Sequence, residues 1–162
     1  MAGPRSDRAV AVALRPMTAA EADAFLADIA PAYAAERAVA DRISLEAAHA
    51  FVREQHAHLL PQGHATPGHQ FHAIVAAGET VGGVWFSCDS ASGEAFLYNI
   101  TVDPARRRRG HARDALALVE AEARAAGCTR LGLNVFPPNR GAIALYEQSG
   151  FATMALYMNK RL

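Results

Sequence analysis

The chain has 162 residues, 51% of them hydrophobic and 20% charged, with sixteen basic residues balanced by sixteen acidic ones. That length fits one domain able to bury about 70% of its unfolded surface, which excludes a stapled miniprotein, a disordered tail and an obvious pair of domains. Zero net charge gives no general attraction to nucleic acid or to an anionic membrane. Cys88 and Cys128 lack metal-type spacing and read as free thiols of a reducing compartment. No run approaches the roughly 20 apolar residues of a membrane span, and Ala9–Leu14 is too short for a secretory core. The expectation is a cytoplasmic protein with residues 1–8 as a flexible leader and 9–162 as one domain.

In chain order, Val10, Val12 and Leu14 alternate as in a short strand ending before Pro16. Thr18 and Glu21 form a capping-box pattern that opens a helix through about Ala35. Pro31 predicts a kink or break near Ala30. Ser44 opens a second helix with Leu45, Ala48, Phe51 and Val52 as its stripe. Residues 61–70 are rich in breakers and read as a loop. Phe71–Ala76, Val81–Cys88 and Glu94–Val102 are strands joined by short turns, an antiparallel meander. After Pro104 the period becomes helical up to Gly127, then Leu131–Phe136 is a strand, Asn139–Ser149 a helix and Phe151–Lys160 a closing strand. The class is α+β: helices on a mostly antiparallel mixed sheet.

The most informative stretch runs from Val102 to Ala112, where a strand ends at Pro104 and four arginines and Gly110 lead into a helix. A helix N-terminus offers unpaired amides and positive partial charge, a natural seat for phosphate. Gly110 lets the backbone approach a ligand and tolerates positive φ. Arginines at the rim supply charge-assisted bonds to phosphate oxygens. Pyrophosphate binding is the prediction, against the plainer reading of a solvated basic turn. Neither GxxxxGK[ST] nor a GxGxxG after a first strand is present, and no aromatic-interleaved surface supports nucleic acid.

Downstream, Asn139, Ala142 and Tyr146 fall at i, i+3 and i+7 and share a helix face. Asn139 is a natural N-cap after two prolines. Tyr146 is a competent acid for a leaving thiolate, since phenol and thiol pKa values are close; core packing with a wet tip is the plainer reading.

Together the two stretches resemble the GCN5-related N-acetyltransferase (GNAT) superfamily. The acetyl-CoA loop pattern Arg/Gln-x-x-Gly-x-Gly/Ala is matched by Arg107, Gly110 and Ala112, and the later block by Asn139, Ala142, Tyr146, Gly150 and Phe151. The resemblance implies a splayed sheet of about six to seven strands flanked by about four helices, opening between Glu94–Val102 and Leu131–Phe136. It implies acetyl-CoA as acyl donor, held by the backbone of Ile100, Thr101 and Val102 and by the amides of Arg107, Arg108, Arg109, Gly110, His111, Ala112 and Arg113. It further implies contacts from Asn139 and Ala142, protonation of the CoA thiolate by Tyr146, and direct acetyl transfer to a primary amine. Family members are often dimers, so the resemblance admits a homodimer.

The sequence departs from the family at the base. Asn134 and Asn99 stand where members often carry acidic residues, and an amide accepts no proton at neutral pH. Glu94, Glu36, Glu54 and His72 are substitutes, and a water-mediated route is favoured, with no base assigned. The missing acids also leave room for a non-catalytic CoA-binding or regulatory domain. Acceptor selectivity is expected from residues 18–70, with Tyr33, Glu36, Arg37, His49, Glu54, His56, His58, His64 and His69. No HExxH or tight ligand set appears, so no metal is expected. Trp85 and Phe86 read as core. The acceptor itself is not specified.

Overall fold

The computed structural model describes residues 11–160 and 162; the expected leader over 1–8, and Val10, lie outside them. β1 (Val12–Pro16) includes its proline instead of stopping short of it. It is an outer strand of the sheet, where a missing N–H at the strand end breaks no ladder. Thr18 caps α1 (Ala19–Asp41): its Oγ accepts the Glu21 amide at 3.2 Å, and Glu21 accepts the Thr18 amide at 2.8 Å. Arg15 adds a two-bond ion pair to Glu21, and that pair, with the cap, holds the Glu21 carboxyl at about 2.

α1 neither breaks at Ala30 nor ends near Ala35; it runs through Pro31 to Asp41. Pro31 removes the donor for the Ala27 carbonyl, but both residues are exposed, so water can serve that group. α2 (Leu45–Leu59) starts where expected, with the Ser44 hydroxyl accepting the Ala47 amide at 3.1 Å. The following loop holds one short 3₁₀ turn, Gly63–Ala65.

β2 (His69–Ala76), β3 (Glu79–Asp89) and β4 (Glu94–Val102) form the antiparallel meander, with β1 on the outer edge of β2. α3 (His111–Ala125) crosses over so that β5 (Arg130–Leu133) joins β4 in parallel. α4 (Arg140–Gln148) follows. α1 and α2 cover one face, setting Phe25, Ile29 and Leu60 against Phe71 and Trp85. α3 covers the other, with Leu116 and Val119 against Val84, Phe86 and Leu97. Each such side chain, fully buried, contributes about 1.5–3 kcal/mol. Cys88 and Cys128 are free and pack in one small cluster, where burial pushes the Cys88 thiol up to about 11. No helix among the described residues is long and apolar enough to cross a membrane.

The sheet has five strands among the described residues, not six to seven. β5 ends at Leu133 instead of Phe136, and the segment expected to close the sheet, Phe151–Lys160, pairs with nothing. Its alternating Met154, Leu156 and Met158 are 94%, 79% and 85% exposed. Alternation supplies strand propensity, but a strand exists only where a neighbour takes its backbone bonds.

The pairing of β3 with β4 is interrupted at one point. Trp85 pairs with Asn99 while the next residue, Phe86, pairs with Leu97, so Tyr98 is an extra residue in β4. This bulge breaks the period-two alternation. Tyr98 packs with the α1/α2 cluster, and its neighbour Asn99, opposite Trp85, is brought to the same side.

A methyl group at Gly82 would lie 2.1 Å from the Thr101 carbonyl oxygen, a backbone atom that has nowhere to go. At Gly141, within α4, it would meet nothing. Gly82→Ala is therefore expected to destabilise by about 1–3 kcal/mol through overpacking, and Gly141→Ala to stabilise by about 0.5–1 kcal/mol through helix propensity. Thermal melts of the two variants should move in opposite directions.

Candidate active site

The β4–β5 ladder has four rungs, from Glu94↔Arg130 to Leu97↔Leu133. Beyond them β4 continues for five more residues with no partner on that edge, while the chain after β5 turns away through Asn134 and the prolines at 137 and 138. Proline cannot donate to a ladder, so β5 could pair no further than Phe136; it stops three residues short of that limit. The two strands part as expected. Ile100, Thr101 and Val102 lie on the unpaired stretch, and the Val102 carbonyl accepts Arg107 Nε at 2.9 Å.

A cleft of about 220 Å³ opens at this parting. Ile29 and Tyr33 of α1 and Gln55, His56 and Leu59 of α2 form one wall. Trp85, the β4 residues Phe96 to Asn99, and Asn134 form the other. Trp85 is sandwiched between Phe71 and Tyr98, at 5.4 and 4.4 Å with interplanar angles of 17° and 19°. Its Nε1 donates to His69 Nδ1 at 2.9 Å, which leaves the His69 proton on Nε2. His56 meets Trp85 edge-on at 5.4 Å. Burial lowers the pKa of both histidines. The lining contains no Asp, Glu, Lys or Arg. Two buried oxygens in it, Gln55 Oε1 and Asn99 Oδ1, have no hydrogen-bond partner. A depression of about 260 Å³ between Asp41–Ile43 and Asn159–Lys160 shares no residue with this cleft.

At the end of β4 the chain passes through a 3₁₀ turn, Pro104–Arg106, into the arginine loop. Gly110 caps α3 in the left-handed region, φ 82°, and Arg108 also has positive φ, 60°. No side chain caps α3, so the amides of His111, Ala112 and Arg113 keep their donors free of a protein cap. The arginines divide their work. Arg106 pairs with Glu79, Arg107 ties back to β4, Arg109 reaches the Ala105 carbonyl at 3.5 Å and Arg113 pairs with Asp114. The His111 side chain is buried and its Nδ1 is unpartnered. Backbone amides and guanidinium groups thus lie together beside the open strand edge, a chemistry suited to an anion.

On α4, Asn139 Oδ1 accepts the Ala142 amide at 3.2 Å, so the asparagine is spent at least partly as an N-cap. Tyr146 packs against the buried cluster of Val84, Phe86, Leu97, Leu116 and Val119, and its ring centroid lies 5.7 Å from that of Phe151. Burial, and secondarily the Glu36 carboxylate, raise its pKa. The phenol therefore stays protonated well past neutrality, the state a proton donor requires.

Of the substitutes for a base, Glu94 pairs with Arg130 at the closed end of the ladder and Glu54 is exposed on α2. His72 is buried beside Phe86, its Nδ1 3.5 Å from Glu122 of α3. None of these three, nor Glu36, lines the cleft. Asn99 and Asn134 both do, and so do Tyr33 and His56 from the segment expected to select the acceptor. Trp85 is core, 2% exposed, and at the same time cleft floor. Gln55 and Tyr98 were not legible as site residues: Gln55 sits in a polar helix face, and Tyr98 reaches the cleft among bulge neighbours that alternation does not reveal.

Comparison with known proteins agrees with this geometry. The sequence pattern of the Acetyltransferase (GNAT) family matches residues 33–151. The uncharacterized N-acetyltransferase YycN of Bacillus subtilis is 32% identical over 93% of this chain and 99% of its own. The crystal structure of YycN superposes with a TM-score of 0.85, covering 93% of this chain and 98% of that one. The fold is shared with the aminoglycoside N-acetyltransferase AAC(6')-Iy in complex with CoA, at 20% identity and a TM-score of 0.56 over 96% of this chain and 97% of the other.

The Tyr146 environment has a measurable consequence. Its phenol is expected to ionise above the ordinary tyrosine value of about 10, and Glu36→Gln should lower that pKa by removing a facing negative charge. An NMR titration of ring-labelled tyrosine reads both; an unmoved Tyr146 in the Glu36 variant would contradict the second.

Proposed function

The chain belongs to the acetyltransferase (GNAT) family, and from that premise we propose that it transfers an acetyl group from acetyl-CoA directly to a primary amine. The observation that carries this reading is the end of the β4–β5 ladder at Leu97↔Leu133, directly ahead of the uncapped start of α3. The amides after Gly110 and the flanking arginines suit a pyrophosphate, and the free edge at Ile100 to Val102 suits a pantetheine arm laid like an added strand. Acetyl-CoA supplies the activated acyl group. The protein positions it, polarises its carbonyl with strand amides and protonates the departing thiolate from Tyr146. Asn139 and Ala142, two turns and one turn before Tyr146, would border the arm.

A second reading is supported by a specific feature. Asn99 and Asn134 hold cleft positions at which the family often has carboxylates, as in a CoA-binding domain without turnover. Thiol release from acetyl-CoA in the presence of a panel of primary amines separates the two. Amine-dependent release supports transfer; saturable acetyl-CoA binding with no release from any amine supports the regulatory reading.

Gly110→Glu should abolish acetyl-CoA binding, because it places a charge and a side chain at a left-handed position facing the anion seat. Isothermal titration on the folded variant measures this, and an unchanged affinity would contradict the proposed pyrophosphate seat. Tyr146→Phe should lower turnover by about 10²-fold or more while leaving acetyl-CoA affinity within a few-fold; unchanged turnover removes its role as the acid.

A further inference from the structure

The cleft poses two problems that the acyl-donor reading leaves open. It buries the oxygens of Gln55 and Asn99 with no donor to meet them, at a cost of about 1–3 kcal/mol each. It also lacks any carboxylate to take a proton from an incoming amine. Asn134 and the phenols of Tyr33 and Tyr98 also line the cleft, but the imidazole of His56, half-buried and held edge-on to Trp85, is the lining group that can take up a proton near neutrality. With the two unpartnered oxygens it can offer one acceptor to each N–H bond of a primary ammonium.

We propose that His56 is the group that deprotonates the acceptor, that Gln55 Oε1 and Asn99 Oδ1 take its remaining N–H bonds, and that the acceptor is a compact primary amine on an apolar body. This rests on the acetyl-transfer reading above and deepens it. The remaining surroundings select the body: Ile29, Leu59 and the Phe71–Trp85–Tyr98 stack give a greasy, rigid wall, and the volume lies below the roughly 300–1,000 Å³ usual for drug-sized ligands.

The electrostatics favour the proton transfer. An ammonium entering this cleft loses water without gaining an ion pair, which lowers its pKa. His56, kept neutral by its own burial, has a free lone pair at physiological pH. His56 contacts Trp85, with His69 behind that indole; the other titratable groups of the cleft are the phenols of Tyr33 on α1 and Tyr98 on β4, and no charged side chain lines it. The Gln55 and Asn99 oxygens hold the nitrogen while His56 accepts one proton. The nitrogen lone pair then forms the C–N bond to the acetyl carbonyl, and the C–S bond breaks with its electron pair leaving on sulfur. Tyr146 protonates that sulfur, and the second proton of the nitrogen returns through water to the phenolate. His56 discharges to bulk water. One primary ammonium and one thioester yield one amide, one thiol and one released proton.

Trp85 is the chain's sole tryptophan and floors the cleft, so its fluorescence reports occupancy independently of turnover. Titration with 2-phenylethylamine should give a saturable change. Binding should weaken at least tenfold in Asn99→Leu and Gln55→Leu, and several-fold for N-methyl-2-phenylethylamine, which has one N–H fewer. No saturable response to 2-phenylethylamine, or equal binding by the leucine variants, overturns the acceptor assignment. For the proton step, the pH profile of kcat/KM should fall at acid pH with a pKa below the ordinary histidine value. In folded His56→Gln turnover should drop by about 10²-fold or more and that acid limb should vanish, whereas His69→Gln should keep the limb. The His56→Gln loss should shrink for 2,2,2-trifluoroethylamine, an amine already neutral at pH 7. An acid limb that survives in His56→Gln overturns the base assignment. If acetyl-CoA affinity and its sensitivity to Gly110→Glu persist in that case, the acetyl-transfer reading stands and only the role of His56 falls.

Discussion

The parallel ladder between β4 and β5 stops after four rungs, and the chemistry of the molecule depends on that stop. A strand edge left unpaired in a protein interior is costly, because each backbone donor and acceptor without a partner forfeits about 1–3 kcal/mol. Pro137 and Pro138 bar the ladder from running past Phe136, and Pro104 follows the end of β4; the ladder itself stops three residues earlier, at Leu133. The gap belongs to the path of the backbone. It offers strand-like hydrogen bonds to a molecule that lacks a fold of its own.

The electrostatic design divides at that gap. On the α3 side five arginines, Arg106 to Arg109 and Arg113, surround amides carrying the positive end of a helix dipole. On the α1/α2 side the walls are neutral, built of aromatic rings, aliphatic carbons, three amides and an imidazole. A highly charged donor and an uncharged reacting nitrogen would each meet the environment they favour. Zero net charge overall conceals this: among the described residues Arg106 and Arg113 carry acidic partners, Glu79 and Asp114, while Arg107, Arg108 and Arg109 make no ion pair.

Much of this was legible in the sequence because it is dictated locally. β4 has the bounds its pattern predicts, Thr18 with Glu21 forms the capping box, Ser44 opens α2 and Gly110 takes the left-handed conformation its position suggested. The failures are tertiary. Pro31 does not end α1, because which face of the helix meets water decides whether its lost bond matters. The strand pattern over Phe151–Lys160 is real, yet propensity does not say whether a neighbour will be there to receive it. β5 is shorter than its apolar run because the ladder, not the run, sets its length. Trp85 reads as core and is core; that it also floors a cleft depends on how α2 crosses the sheet, which no residue spacing encodes. Gln55 and His56 belong to the same class of hidden information.

The extra residue in β4 separates two requirements that a regular strand would force into one. Upstream and downstream of Tyr98, Leu97 and Ile100 pack toward α3. Between them, Tyr98 and Asn99 are given to the opposite side. Without the insertion, strict alternation would send Asn99 to the α3 side with Leu97 and turn Ile100 out toward the cleft. With it, two neighbouring side chains stand on the cleft wall while Leu97 and Ile100 keep the inner layer intact, so substitutions at positions 98 and 99 can alter the cleft without disturbing the layer against α3.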